Sequence, residues 1–172
     1  VIGHFHYVVA PGTIFAIFAG IYYWFPKITG KLLNETLGKL HFGFSFIFMN
    51  GIFWPMLIQG LAGVSRRLSD GGASYAHAQS VLHWNEIMSY SAWLLALAQI
   101  PFIVNLILTL LRRKTTADVD PNPWKATTVE WTDTTSPPMG HGNFEKAPVV
   151  HRGPYEYSVP GDKADFTPQT NS

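Results

Sequence analysis

At 172 residues, with 47% hydrophobic and only 13% charged residues, the chain is apolar even for a globular domain, and most of its charge lies in the last third, an asymmetry that suggests a membrane protein. A net charge of +1 excludes the electrostatic footprint of a nucleic-acid binder. The absence of cysteine excludes disulfides, thiolate metal sites and covalent haem attachment through Cys-x-x-Cys-His, so any metal must be held by histidine or carboxylate.

From Val1 to about Trp24 no residue carries a formal charge, and a helix of that length crosses a hydrocarbon layer of about 30 Å. Residues 1–24 are therefore read as a first span. Pro11-Gly12 is expected to kink it, Tyr22, Tyr23 and Trp24 form an interfacial belt, and Pro26 is expected to end it. The chain opens inside this apolar run, with no initiator methionine and no basic flank, which reads as the C-terminal piece of a longer protein and not as a signal peptide.

The run begins with Gly3-His4-Phe5-His6-Tyr7. In a helix, residues two apart point about 200° away from each other, so the two imidazoles lie on nearly opposite faces. One helix then offers one imidazole to each of two separate ligands, whereas a single metal would want histidines at i and i+4. Neutral imidazole is a common axial ligand of haem iron, and an ionisable residue inside a membrane segment is read as functional by default. The plainer alternative is a pair of interfacial histidines. Opposite faces do not make one wet side.

A polar loop follows, with Lys27, Lys31 and Glu35, Thr29-Gly30 as a turn and Asn34 as the cap of the next helix. The second span is expected at about 37–63, charged only at Lys39, with Pro55 kinking its far end and His41 read as a packed or interfacial histidine. A polar connection containing Arg66-Arg67 and Asp70 leads to the third span, about 84–111, which has Pro101 inside it and Arg112-Arg113-Lys114 closing it. Lysines flank the first loop and basic residues flank the tail, so the positive-inside bias puts both, and the C-terminus, on the cytoplasmic side. Arg66 and Arg67 then lie outside, against that bias and at the level of His4 and His6. Guanidinium pairs with carboxylates in bidentate fashion, so a haem held by these histidines would present its propionates there. A solvated pair partly neutralised by Asp70 is the alternative.

After Lys114 the composition turns to Pro, Thr, Gly and charge, with no apolar run able to form a core. Two regions result: a membrane region, 1–114, and a tail, 115–172. The tail keeps Trp124, Trp131, Phe144, Tyr155, Tyr157 and Phe166, so an extended arm anchored by these rings is expected, with the last dozen residues loose.

His4-Phe5-His6-Tyr7-Val8, Tyr22-Tyr23-Trp24-Phe25-Pro26, Leu33-Asn34-Glu35-Thr36-Leu37-Gly38-Lys39, Leu61-Ala62-Gly63 with Arg66-Arg67, Asn122-Pro123-Trp124, Glu130-Trp131, Ser136-Pro137-Pro138 and Arg152-Gly153-Pro154-Tyr155-Glu156-Tyr157 together resemble the C-terminal part of haem-copper oxidase subunit I. The likeness is greatest to the bacterial cytochrome c oxidase subunit and covers essentially the whole chain, including the 62 positions from His4 to Arg66. It implies an all-α membrane protein: the last three transmembrane helices of a twelve-helix subunit plus an extended cytoplasmic C-terminal tail, in a bacterial plasma membrane.

The resemblance also implies roles. His4 would hold the high-spin haem iron, His6 the low-spin haem iron, Phe5 would lie between them, and Arg66 and Arg67 would pair with propionates. Two haems, of the a type, are implied, together with copper whose ligands belong to other parts of the complete subunit. The partners implied are the rest of subunit I, subunits II and III, cytochrome c or an attached cytochrome domain, and the bilayer. The implied activity is four-electron reduction of oxygen to water coupled to proton pumping, to which this fragment alone is insufficient. A quinol oxidase of the same superfamily and a non-catalytic membrane anchor stay open; Tyr7 favours the cytochrome c type, because quinol-oxidising relatives tend to carry Asn there. Departures from the family pattern are Gly3 where Ala is common, Pro11 in place of a small non-proline residue, Val64-Ser65 in place of Met-Pro, and the stretch Gly71 to Asn85, whose His77 and His83 are not read as ligands.

Overall fold

The computed structural model describes residues 1–114, 118, 120–132, 135–138, 144, 146–153, 161, 163 and 167–170. Helix α1 (Ile2–Thr29) is followed by α2 (Glu35–Leu61), a short 3₁₀ segment (Ala76–Val81), α3 (His83–Leu97), α4 (Ile100–Leu111) and a single turn, α5 (Val129–Thr132). No strand occurs among the described residues. Three stretches are long and apolar enough to cross a membrane: Ile2–Thr29, Glu35–Leu61 and His83–Leu111.

Two helix ends are set by glycines in the left-handed region. The first helix does not stop at Pro26 as expected. It runs on to Thr29, because proline's fixed φ suits a helix and its carbonyl still accepts from the Gly30 N–H at 2.8 Å; Gly30, at φ +64°, turns the chain out. At the end of α2, Val64 N–H donates to Gln59 O (3.0 Å) and Gly63 N–H to Gly60 O (3.2 Å), with Gly63 at φ +83°. This pair of bonds is a Schellman ending. At its start, α2 is capped as expected, Asn34 Oδ1 accepting from Leu37 N–H at 3.0 Å.

The chain forms two compact units, Val1–Gly20 with Asn34–Leu111, and Ile21–Leu33 with Arg112–Ser172. In the first, the buried positions of α2 are His41, Ser45, Met49, Pro55 and Gln59, while Phe42, Ile47 and Trp54 are exposed. A soluble helix would show the reverse. In lipid, hydrocarbon replaces water outside, and polar side chains pair across helix interfaces instead. His41 is accordingly packed: its Nε2–H donates to Gln99 Oε1 at 3.0 Å, and Phe18 and Phe102 flank its ring. Asn105, fully buried, accepts from Asn34 N–H (2.8 Å) and donates to Asn34 O (2.9 Å), tying the third span to the start of α2. Gly51 lets α3 come close, since a Cβ there would lie 3.0 Å from Ser91 Cβ.

The third span breaks between α3 and α4, one turn before Pro101, which has no N–H for the carbonyl four residues back. Gln99 N–H bonds Ala96 O instead of Leu95 O, and the Gln99 side chain takes over the Leu95 carbonyl at 3.0 Å. Its amide also donates to Ser45 Oγ at 3.2 Å, so the break is satisfied by the same group that holds α2.

In the second unit, Trp131 is 1% exposed, stacked on Trp24 at 5.7 Å and edge-on to Tyr23 at 5.2 Å, with Lys27 Nζ 5.1 Å from its ring centre. Trp124 Nε1–H donates to Tyr23 O at 2.9 Å. Arg112 pairs with Asp118 and donates to Leu32 O at 2.7 Å, and Asp118 beside it raises the guanidinium pKa further above its ordinary value. Composition predicts that the last dozen residues are loose, and Gln169 departs from that. Gln169 is buried, its N–H donating to Thr127 O (3.1 Å) and its Oε1 accepting from Val129 N–H (3.1 Å). Of the expected anchoring rings, Tyr155, Tyr157 and Phe166 lie outside the described residues.

Candidate functional site

The histidine pair lies in the first two turns of α1, whose first helical bond runs from Phe5 N–H to Val1 O at 3.0 Å. His4 is exposed, with no bonded partner among the described residues. His6 is half-buried, and its Nδ1 lies 2.8 Å from Ile2 O. A carbonyl only accepts, so the proton sits on Nδ1 and the lone pair on Nε2. That is the form in which an imidazole binds a metal, held by a bond to its other nitrogen.

A second layer comes from α2, and sequence reasoning missed it. Phe53 stacks on the His6 ring (5.6 Å between centroids, 26° between planes) and lies 5.8 Å from the Tyr7 ring. Tyr7 O–H donates to Asn50 Oδ1 at 2.7 Å, and the Asn50 amide is oriented by donating to Phe46 O at 2.8 Å. A Cβ on Gly3 would lie 2.7 Å from Leu57 Cδ2 and 3.0 Å from Leu57 N, so only glycine admits this approach without a shift. Asn50, Phe53 and Leu57 fall at i, i+3 and i+7, on one face of α2. The available signal was a lone Asn in an apolar run, together with Phe53 three residues on. Phe5, 48% exposed, packs its ring 4.4 Å from that of His6.

Arg66 and Arg67 follow the Schellman turn of α2 and are exposed. Neither makes an ion pair or hydrogen bond among the described residues. The contact of Leu57 with Gly3 puts the last turns of α2 beside the first turn of α1, and the arginines leave from that end. Arg67 has φ +60°, a conformation that costs a non-glycine residue roughly 1 to 2 kcal/mol. Asp70 does not neutralise the pair. Its carboxylate accepts from Gly72 N–H (3.0 Å) and Ser74 N–H (2.8 Å).

Those bonds, the Ser74 side chain foremost, pull the Asp70 pKa from 3.8 to about 2. A depressed carboxylate pKa stabilises the fold in full above its unfolded value, and the contribution disappears as pH falls through the folded one. The loop is therefore expected to resist pepsin near pH 4.5 and to open toward pH 2, whereas Asp70→Ala is cut at both. Equal cutting of both proteins at pH 4.5 would show that the carboxylate does not hold the loop.

No group of three or more His, Cys, Asp or Glu able to hold a metal occurs among the described residues. The donor set is instead two imidazoles on opposite faces of one helix. It fits a macrocycle that brings four in-plane nitrogens of its own and asks the protein for an axial ligand.

These features define an α-helical multi-pass membrane protein presenting single imidazoles from the start of one span. A family model described as "Cytochrome C and Quinol oxidase polypeptide I" matches residues 1–95. The chain belongs to this family. It is 41% identical to "Cytochrome c oxidase subunit 1" of Synechocystis sp. over 165 residues, which is 96% of the chain and 28% of that protein. It is likewise 41% identical over 170 residues to "Alternative cytochrome c oxidase subunit 1" of Bradyrhizobium diazoefficiens, covering 98% of the chain and 28% of that relative. With "Cytochrome c oxidase subunit 1" of Albinaria turrita it shares 38% identity over 150 residues, 87% of the chain and 72% of the relative. The chain thus spans about 28% of the first two, and matches their C-terminal part.

Proposed function

We propose that the chain is the part of an oxidase catalytic subunit that supplies one axial ligand to each of two haems, His4 to a high-spin haem and His6 to a low-spin haem. The observation that carries this reading is the pair of opposed imidazoles, one of them with its proton fixed on Nδ1 and its Nε2 left free. When bound, such haems supply one iron with an open position for oxygen and one closed iron suited to electron transfer. The chain's residues hold and orient them: Ile2 O fixes the His6 tautomer, Phe5 lies between the two ligands in sequence, and Arg66 and Arg67 offer exposed guanidiniums to propionates. Residues 1–114 are the membrane region in this reading, and 115–172 a tail along the cytoplasmic face. Lys27, Lys31 and Lys39 at one loop and Arg112, Arg113 and Lys114 at the tail support that orientation.

The complete complex reduces oxygen to water with four electrons and pumps protons, using haems of the a type, copper held elsewhere in the subunit, and subunits II and III. Cytochrome c is the donor, in a bacterial plasma membrane. The names of the relatives and Tyr7 in the position after the second histidine support the donor. Oxygen uptake by the purified complex tests it: turnover is expected with reduced cytochrome c and not with a quinol. Turnover with the quinol alone would make the protein a quinol oxidase, and no uptake with either would leave a membrane anchor.

A further inference from the structure

We infer that Phe53 is a positioning residue that sets the plane of the His6 imidazole, with the Tyr7 to Asn50 hydrogen bond as its second pin. The inference rests on the proposal that His6 is an axial ligand. The hydrogen bond from Nδ1 to Ile2 O fixes which nitrogen is free, but it is one contact at the edge of the ring. The torsion that turns an imidazole about its Cβ–Cγ bond is broad, so a plane must be fixed by packing on the ring face. Phe53 supplies that face, 5.6 Å away and 26° from parallel.

Phe53 is itself held between two neighbours on α1, because its ring also lies 5.8 Å from that of Tyr7, whose hydroxyl is bonded to Asn50 at 2.7 Å. Asn50 cannot swing freely, since its amide donates to Phe46 O. One turn further along, Gly3 seats against Leu57. Three successive contacts, at 57, 53 and 50 of α2, therefore register the first two turns of α1, and the imidazole lies over the middle one.

The orientation of an axial imidazole relative to the other axial ligand determines the g anisotropy of a low-spin ferric haem. Electron paramagnetic resonance of the intact complex therefore reads this plane independently of turnover. Phe53→Leu is expected to retain the low-spin haem but to shift or split its highest g feature beyond the wild-type linewidth, and Phe53→Tyr is expected to restore it. If Phe53→Leu does not assemble, Tyr7→Phe removes only the hydroxyl pin and is expected to broaden the same feature. An unchanged signal in whichever of these two variants assembles overturns the positioning role. A low-spin signal that survives in His6→Ala overturns instead the ligand reading beneath it.

Discussion

His6→Ala is expected to remove the low-spin haem band and to cut oxygen uptake by at least about 10²-fold. Residues that merely orient a metal ligand cost about 10- to 100-fold when changed, so loss of the ligand itself sets a floor at the top of that range. The buried histidine of α2 does not replace it. His41 lies in the same membrane unit, but its Nε2–H is committed to Gln99 and its ring is 98% shielded between Phe18 and Phe102. Difference spectra and an oxygen electrode on the purified complex check both halves of the expectation. A wild-type band with normal uptake would exclude His6 as a ligand.

Trp131→Ala carries the largest expected stability effect. Truncating a buried tryptophan costs about 3 to 5 kcal/mol, and Trp131 is 1% exposed among Tyr23, Trp24 and Lys27. The loss is local to the unit formed by Ile21–Leu33 and Arg112–Ser172. At about 1.4 kcal/mol per tenfold, trypsin cleavage at Lys125 should accelerate about a hundredfold or more when opening precedes cutting. Trp131→Phe, which keeps a ring, should lose much less. Unchanged cleavage in the alanine variant would mean that the tail is held by Arg112, Asp118 and Gln169 without it.

The spans were legible because crossing hydrocarbon demands length and low charge, which are local properties of sequence. Their ends were less so. Pro26 reads as a stop, yet a proline whose carbonyl can still accept does not end a helix, and the left-handed Gly30 does. The break before Pro101 has a local cause, but the Gln99 amide that bridges it pairs with Ser45 and His41, more than fifty residues away, and no local pattern encodes that pairing. Likewise the two imidazoles could be read from their spacing alone, whereas Asn50, Phe53 and Leu57 acquire meaning only once α2 lies against α1. Arg66 and Arg67 announced themselves by standing against the charge bias; that they are unpaired among the described residues is a matter of structure, because Asp70 is taken by its own turn.

The most direct test of the central claim is the optical response to carbon monoxide of the reduced complex carrying His4→Ala or His6→Ala. One ligand to each of two haems predicts that His4→Ala loses the carbon monoxide response and keeps the low-spin band, while His6→Ala loses the low-spin band. Assembly of both variants with unchanged spectra would contradict it.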